Sequence, residues 1–208
     1  MSVITYQLTT KSRVKNRLGI TTTSFDGLMD ALIGGVTDRM ERMAGRRFKQ
    51  TAYSNELYDG SDIYGSAGLI LIIKNGPITG APTLEYKTGS NANPTWVDYS
   101  VEDYAIDNAT GLIHMKGSLP QGKQNVRITY TGGFIINFTG TYDIESDHTL
   151  PLELTEVCEK AVVRSFKKRD SEGRSSESFE GSSITWEKDV FLAEDIAIIK
   201  NYRRGGFV

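Results

Sequence analysis

Ser24-Phe25-Asp26-Gly27-Leu28-Met29-Asp30-Ala31-Leu32-Ile33-Gly34-Gly35-Val36-Thr37-Asp38-Arg39-Met40-Glu41-Arg42-Met43-Ala44-Gly45 is the longest helical pattern in this 208-residue chain. Phe25, Leu28, Leu32, Val36, Met40 and Met43 recur at three- and four-residue spacing, which draws one apolar helical face. Ser24 is the residue type that caps a helix N-terminus, and Gly45 stands where a helix ends. Gly34 and Gly35 lie inside the pattern, each costing about 1 kcal/mol relative to alanine. Two readings remain open there: a close backbone approach that needs the missing side chains, or a slightly weak helix.

Upstream, Thr9 or Thr10 can cap a short helix through Val14 and Leu18, with Leu8 packed ahead of the cap and Gly19 ending it. Downstream, the period changes from helix to strand. Gly68 to Ile73 reads as a buried strand stopped by Lys74-Asn75-Gly76-Pro77. Thr83–Thr88 and Thr95–Tyr99 flank the polar tip Gly89 to Pro94, and Tyr104–Ile106 and Leu112–Met115 form a tighter hairpin around Asp107 to Gly111. Val126-Arg127-Ile128-Thr129-Tyr130 alternates cleanly and runs into Gly132-Gly133. Beyond Pro151, a first helical residue, Leu154, Val157, Cys158, Ala161, Val162 and Phe166 return to helical spacing. Lys167-Lys168-Arg169 suits the negative end of that helix.

The predicted architecture is therefore α+β. Helices near 9–18, 24–45 and 151–169 form a small bundle, and an antiparallel sheet or sandwich over about 50–135 is inserted between the second and third. In domain terms the helical core takes residues 1–49 and 150–170, the inserted β domain 50–149, a Ser/Glu/Gly-rich linker 171–183, and a strand-plus-helix tail 184–208. Leu18, Leu32, Val36, Val157, Val162 and Phe166 are expected in the core.

The composition excludes several functions. One cysteine makes no internal disulfide and suits a reducing compartment, and two histidines starve most metal sites of ligands. No apolar run approaches a membrane span, and Met1 to Tyr6 lacks the pattern of a secretory signal. Residues 1–50 carry nine basic and four acidic side chains, whereas residues 51–150 carry five basic and eleven acidic ones. That asymmetry points to charged neighbours rather than nucleic-acid readout, because no groove-reading motif accompanies it. Cys158 sits on an apolar helix face, as a structural thiol does. His114 and His148 have no nucleophile motif beside them. Asp143, Glu145, Asp147 and His148 crowd one loop, but without the ordered spacing of a calcium loop. Gly132-Gly133 lacks the Lys and Ser/Thr of a phosphate loop. No catalytic constellation, metal or cofactor is expected, so the chain reads as a non-enzyme.

The order of segments resembles a known family. Leu8-Thr9-Thr10-Lys11-Ser12-Arg13-Val14-Lys15-Asn16-Arg17-Leu18-Gly19-Ile20 is similar to the opening of tailed-bacteriophage head–tail connector proteins, the adaptor or head-completion family. The likeness continues through Arg39-Met40-Glu41-Arg42-Met43-Ala44-Gly45-Arg46-Arg47-Phe48, Asp103 to Asp107 with Thr110 to Ile113, Val126 to Gly133, and Leu150-Pro151-Leu152-Glu153-Leu154. It covers roughly residues 5–170. The chain departs from the pattern at Gly34-Gly35 and in its long tail after Ser171.

The resemblance implies a structural virion protein of the neck, assembled in the host cytoplasm and located at the head–tail interface. Its partners would be the portal protein, neighbouring copies of itself in a ring (a dodecamer in this family), and the next neck or tail-completion protein. Genomic DNA would pass through the channel without sequence-specific binding, and no membrane is involved. Arg39, Arg42, Arg46 and Arg47 are candidate contacts to a neighbouring subunit or the portal. The tail residues Ile184, Trp186, Val190, Phe191, Leu192, Ile196, Ile199, Tyr202, Arg203, Arg204 and Phe207 are candidate portal-docking residues, too apolar for a free tail; the alternative is a tail folded back on its own subunit. The alternatives are a soluble β-rich module binding carbohydrate or protein, or a hydrolase built on the loop Asp143–His148.

Overall fold

A computed structural model of the chain describes residues 6–60, 69–89, 93–117, 122–139, 143–144, 147–169, 176–179, 182–185 and 189–203. They form two compact units, one from the segments up to Gly45 and from Ile135 to Arg203, the other from Arg46 to Phe134.

The helical unit holds α1 (Lys11–Leu18), α2 (Asp26–Ala44), α3 (Leu152–Lys168) and α4 (Ala193–Asn201). Thr10 caps α1, its hydroxyl accepting from the Arg13 amide at 3.4 Å, and Gly19 ends it in the left-handed conformation. The N-cap of α2 is Phe25, one residue beyond the predicted Ser24, and it makes no side-chain cap. The buried face of α2 is Met29, Ile33, Val36, Thr37, Met40, Glu41 and Ala44. This face is rotated by about one residue from the predicted stripe, so Leu28 is exposed and Leu32 half-buried. Leu18 is half-buried as well. The rotation has a local cause: Thr37 and Glu41 belong to the buried face because each has a partner there. The Leu8 amide donates to the Thr37 hydroxyl at 3.3 Å, and the Tyr6 hydroxyl donates to the Glu41 carboxylate. Val36, Val157, Val162 and Phe166 are buried as expected, with Leu8, Val14, Leu154 and Ala161. A Cβ added at Gly34 or Gly35 would meet nothing within 4 Å among the described residues, so against these the glycines make no close approach and weaken the helix.

The second unit is a β-sandwich. One sheet has the order β1 (Thr51–Tyr58), β7 (Val126–Gly132), β3 (Ile78–Gly89), β4 (Pro94–Asp98). The other has β2 (Leu69–Ile72), β6 (Leu112–Met115), β5 (Tyr104–Asp107). Every pairing between these strands is antiparallel. Alternation along β7 puts Val126, Ile128 and Tyr130 inward, where they pack with Leu71, Ile73, Leu84, Ile113 and Met115. Gly132 and Gly133 are a packing device: a Cβ on Gly132 would lie 2.1 Å from the Asn75 carbonyl oxygen, and one on Gly133 2.7 Å from that of Lys49.

Two short antiparallel pairs stand outside these sheets. One joins β8 (Phe138–Thr139) to β9 (Asp143–Ile144), and the other joins β10 (Ser176–Phe179) to β11 (Ser182–Thr185). The hairpin β10–β11 forms where the composition reads as linker. The strand predicted to begin at Ile184 instead starts at Ser182 and pairs backwards, and residues 186–188 lie outside the described set.

Candidate functional site

Beside its apolar core, the helical unit is held by charged side chains that join distant segments. Glu159 on α3 is buried, yet it accepts from three side chains of the chain's first segment: Arg13 Nε at 2.5 Å, the Thr9 hydroxyl at 3.1 Å and Arg17 Nη1 at 3.3 Å. Arg13 and Arg17 are one helical turn apart, so both reach the same carboxylate. Filling its lone pairs makes the burial of Glu159 tolerable.

A second buried carboxylate fixes α4. Asp195 is fully buried, and its Oδ2 accepts both Arg164 Nη1 and the Leu192 amide, the latter at 2.9 Å. The same Arg164 nitrogen donates to the Val190 carbonyl at 3.1 Å. The carboxylate therefore serves as the N-terminal cap of α4 and as its tether to α3. At the other end of α4, the Tyr202 hydroxyl donates to the Glu153 carboxylate, and burial, reinforced by Glu153, raises its pKa to about 12.

These contacts place the tail candidates. Phe191 and Ile199 are buried within the helical unit, Arg39 lies 6.0 Å above the Phe191 ring, and Val190, Leu192, Ile196 and Tyr202 are half-buried. Arg203 is exposed. Ile184 falls in β11, and Trp186, Arg204 and Phe207 lie outside the described residues. The apolar residues of α4 thus have a partner that the sequence alone did not supply, namely α2 and α3 of the same chain.

Of the four candidate arginines, Arg39 and Arg42 are exposed on α2, and Arg42 pairs with Asp38 at 2.8 Å. Arg46 stacks over Phe48 and Phe134 at 5.9 and 5.5 Å, and the Arg47 amide donates to the Asn75 side chain at 3.0 Å. Arg39 and Arg42 thus belong to the helical unit, and Arg46 and Arg47 to the sandwich unit.

The sandwich has its own polar centre. Glu56 accepts from the hydroxyls of Tyr58 and Tyr130, each at 2.7 Å, with Lys74 Nζ 3.5 Å away. Burial, first, pushes both tyrosines well above their ordinary value. Arg127 stacks 4.5 Å from the Trp96 ring while pairing with Glu85. Each of these groups has a hydrogen-bond or ion-pair partner.

Two residues of the loop considered for hydrolysis bond to Asn137. His148 Nδ1 accepts the Asn137 amide at 3.0 Å, and Asp147 accepts from the Asn137 side chain at 3.2 Å. Glu145 lies outside the described residues. Among the described residues no three metal-ligating side chains converge. Cys158 is fully buried, and burial pushes its thiol up to about 12, so it is a core residue rather than a nucleophile. No described helix is long and apolar enough to cross a membrane.

Sequence reading missed the carboxylates Glu159, Asp195 and Glu56. The available signal was the i,i+4 spacing of Arg13 and Arg17 facing Glu156 and Glu159, which are three apart on α3. No family model matches the chain, and no curated protein does. Among solved structures it is similar to a chain of the structure described as "Neck of empty GTA particle computed with C6 symmetry", with a TM-score of 0.48 and 16% identity over 91% of this chain and 86% of that one.

Proposed function

We propose that the chain is a structural neck protein of a tailed virion: a head–tail adaptor that forms a ring under the portal, extends the DNA channel and presents a platform for the next neck protein. The observation that carries this reading is the order of the parts. A helical unit closed by the two ends of the chain, with a β-sandwich inserted after Gly45, is the arrangement that the connector resemblance implies. The chemistry agrees with it: the buried charges of the described residues are spent on holding helices together, not on a reacting group. In this reading the exposed Arg39 and Arg42 meet carboxylates of a neighbouring subunit or the portal. The C-terminal segment docks on the portal through the residues that α4 leaves accessible, with Phe191 and Ile199 supporting it from inside.

The test is co-expression with the portal protein of the same virus, followed by negative-stain microscopy of the purified product. A ring bound to the portal is expected, and twelve copies is the expected number. A monomer that ignores the portal but is retained on a glycan matrix overturns the reading in favour of a binding module.

A further inference from the structure

The hairpin β10–β11 is an element without a sheet. Its strands pair in four consecutive registers, from Ser176 opposite Thr185 to Phe179 opposite Ser182, and no other described strand extends either edge. No other described helix or strand packs broadly against it. Two-stranded hairpins are marginal in water on their own. The helices before and after it in the chain are tied to each other, because Arg164 of α3 joins Val190 and Asp195.

The same chain carries an open strand edge of matching length. In the four-stranded sheet, β4 pairs with β3 alone, over five consecutive registers without a bulge. The opposite edge, β1, is protected differently: its register shifts between Tyr53 and Glu56, and Asn55 adopts a positive φ of 54°. Such a bulge is how natural edges discourage pairing. Between Pro94 at its start and Asp98 at its end β4 has no bulge, and it carries β-branched Thr95 and Val97 with no lysine.

We infer that the β10–β11 arm of one copy adds to the β4 edge of the next copy, extending its four-stranded sheet. A donor and an acceptor on one chain make a head-to-tail contact, which closes into a ring when repeated by rotation. Backbone hydrogen bonds supply the join, so a serine-rich arm is sufficient. The inference rests on the ring reading above and names the contact that builds it.

The test uses the full chain co-expressed with portal, with Thr95→Cys combined with either Ser178→Cys or Ser183→Cys and mild oxidation. Cys158 is buried, so the new thiols are the reactive ones. A ladder of covalent multimers from at least one double variant, absent from each single variant, is the expected result. Replacing residues 176–185 by a flexible Gly/Ser linker should leave the melting temperature of the isolated chain unchanged and abolish rings. Rings that form normally without any ladder overturn the arm-to-edge contact and leave the ring reading standing. A monomer with an internal disulfide also overturns it. A ladder without closed rings supports the contact and overturns the ring reading, while loss of both ladder and rings overturns both. If the linker variant keeps its ring but loses the portal, the arm belongs to the portal interface and the inference fails.

Discussion

Arg164 reaches across from α3 to the carboxylate of Asp195 on α4, where Asp195 is entirely withdrawn from water. Removing one member of such a pair leaves the other charge without its partner. Arg164 keeps about a fifth of its side chain exposed, which softens the loss. Asp195→Ala should therefore destabilise the chain by roughly 2–4 kcal/mol, somewhat under the usual range for a fully buried pair. Denaturant unfolding followed by circular dichroism checks this, and a loss below about 0.5 kcal/mol would mean that α4 is held by its apolar contacts alone.

Gly132→Ala should prevent the sandwich from folding as described, because the new methyl would collide with the Asn75 backbone and the Tyr130 ring. Backbone cannot step aside as a flexible side chain can. Insoluble protein, or a loss of several kcal/mol on the scale of severe overpacking, is the expected outcome. Soluble expression and thermal melting decide it.

Gly34→Ala and Gly35→Ala should act in the opposite direction. Both sit in helical backbone, and neither methyl would touch any of the described residues. Each substitution should stabilise the isolated protein by about 0.5–1 kcal/mol through helix propensity. Ring assembly measured on the same variants gives the second reading: impaired assembly of a more stable chain would locate a close neighbour at these glycines.

Alkaline conditions should weaken the fold. The Cys158 thiol is raised from about 9 to about 12 by burial, and burial likewise raises Tyr99 to about 12. The unfolded chain therefore loses these protons at lower pH than the folded one, so the protonated groups favour folding below pH 9 and that advantage disappears towards pH 12. Unfolding free energies at pH 8 and pH 10.5 should differ by less in Cys158→Ala than in the parent chain. An identical difference would show that the tyrosines alone account for the alkaline loss.

Phe166→Ala should cost about 3–5 kcal/mol, since the ring is buried, meets Phe25 edge-on at 5.3 Å and lies under Arg169. A calorimetric melt that barely moves would contradict the packing of α2 on α3.

Much of this fold was legible because helices and flat strands announce themselves by period. Leu154 to Phe166 keeps its apolar spacing and is buried as read, and β7 alternates as read. The strand β1 escaped because its bulge at Tyr53–Glu56 adds a residue and breaks the period of two. The face of α2 was misplaced because Thr37 and Glu41 look polar until Leu8, Tyr6 and Cys158 are beside them. The hairpin β10–β11 is built from serines that composition assigns to a linker. As for the candidate site, the sequence marked the tail as too apolar to be free, but which surface takes up Phe191 and Ile199 depends on tertiary contacts with α2 and α3. Glu159 and Asp195 became visible only as the meeting points of distant segments.

The sandwich leaves the helical unit and returns to it through neighbouring strands of backbone. The Phe134 amide donates to the Phe48 carbonyl at 2.6 Å, and the Gln50 amide donates back to the Phe134 carbonyl at 2.8 Å. Both bonds lie inside the sandwich unit, so its entering and leaving segments are fastened to each other. Once that clasp has formed, the 89 residues from Arg46 to Phe134 are a closed loop, whose closure entropy is offset within the unit itself. A change of length in a turn within that loop therefore leaves the spacing of its two ends unchanged.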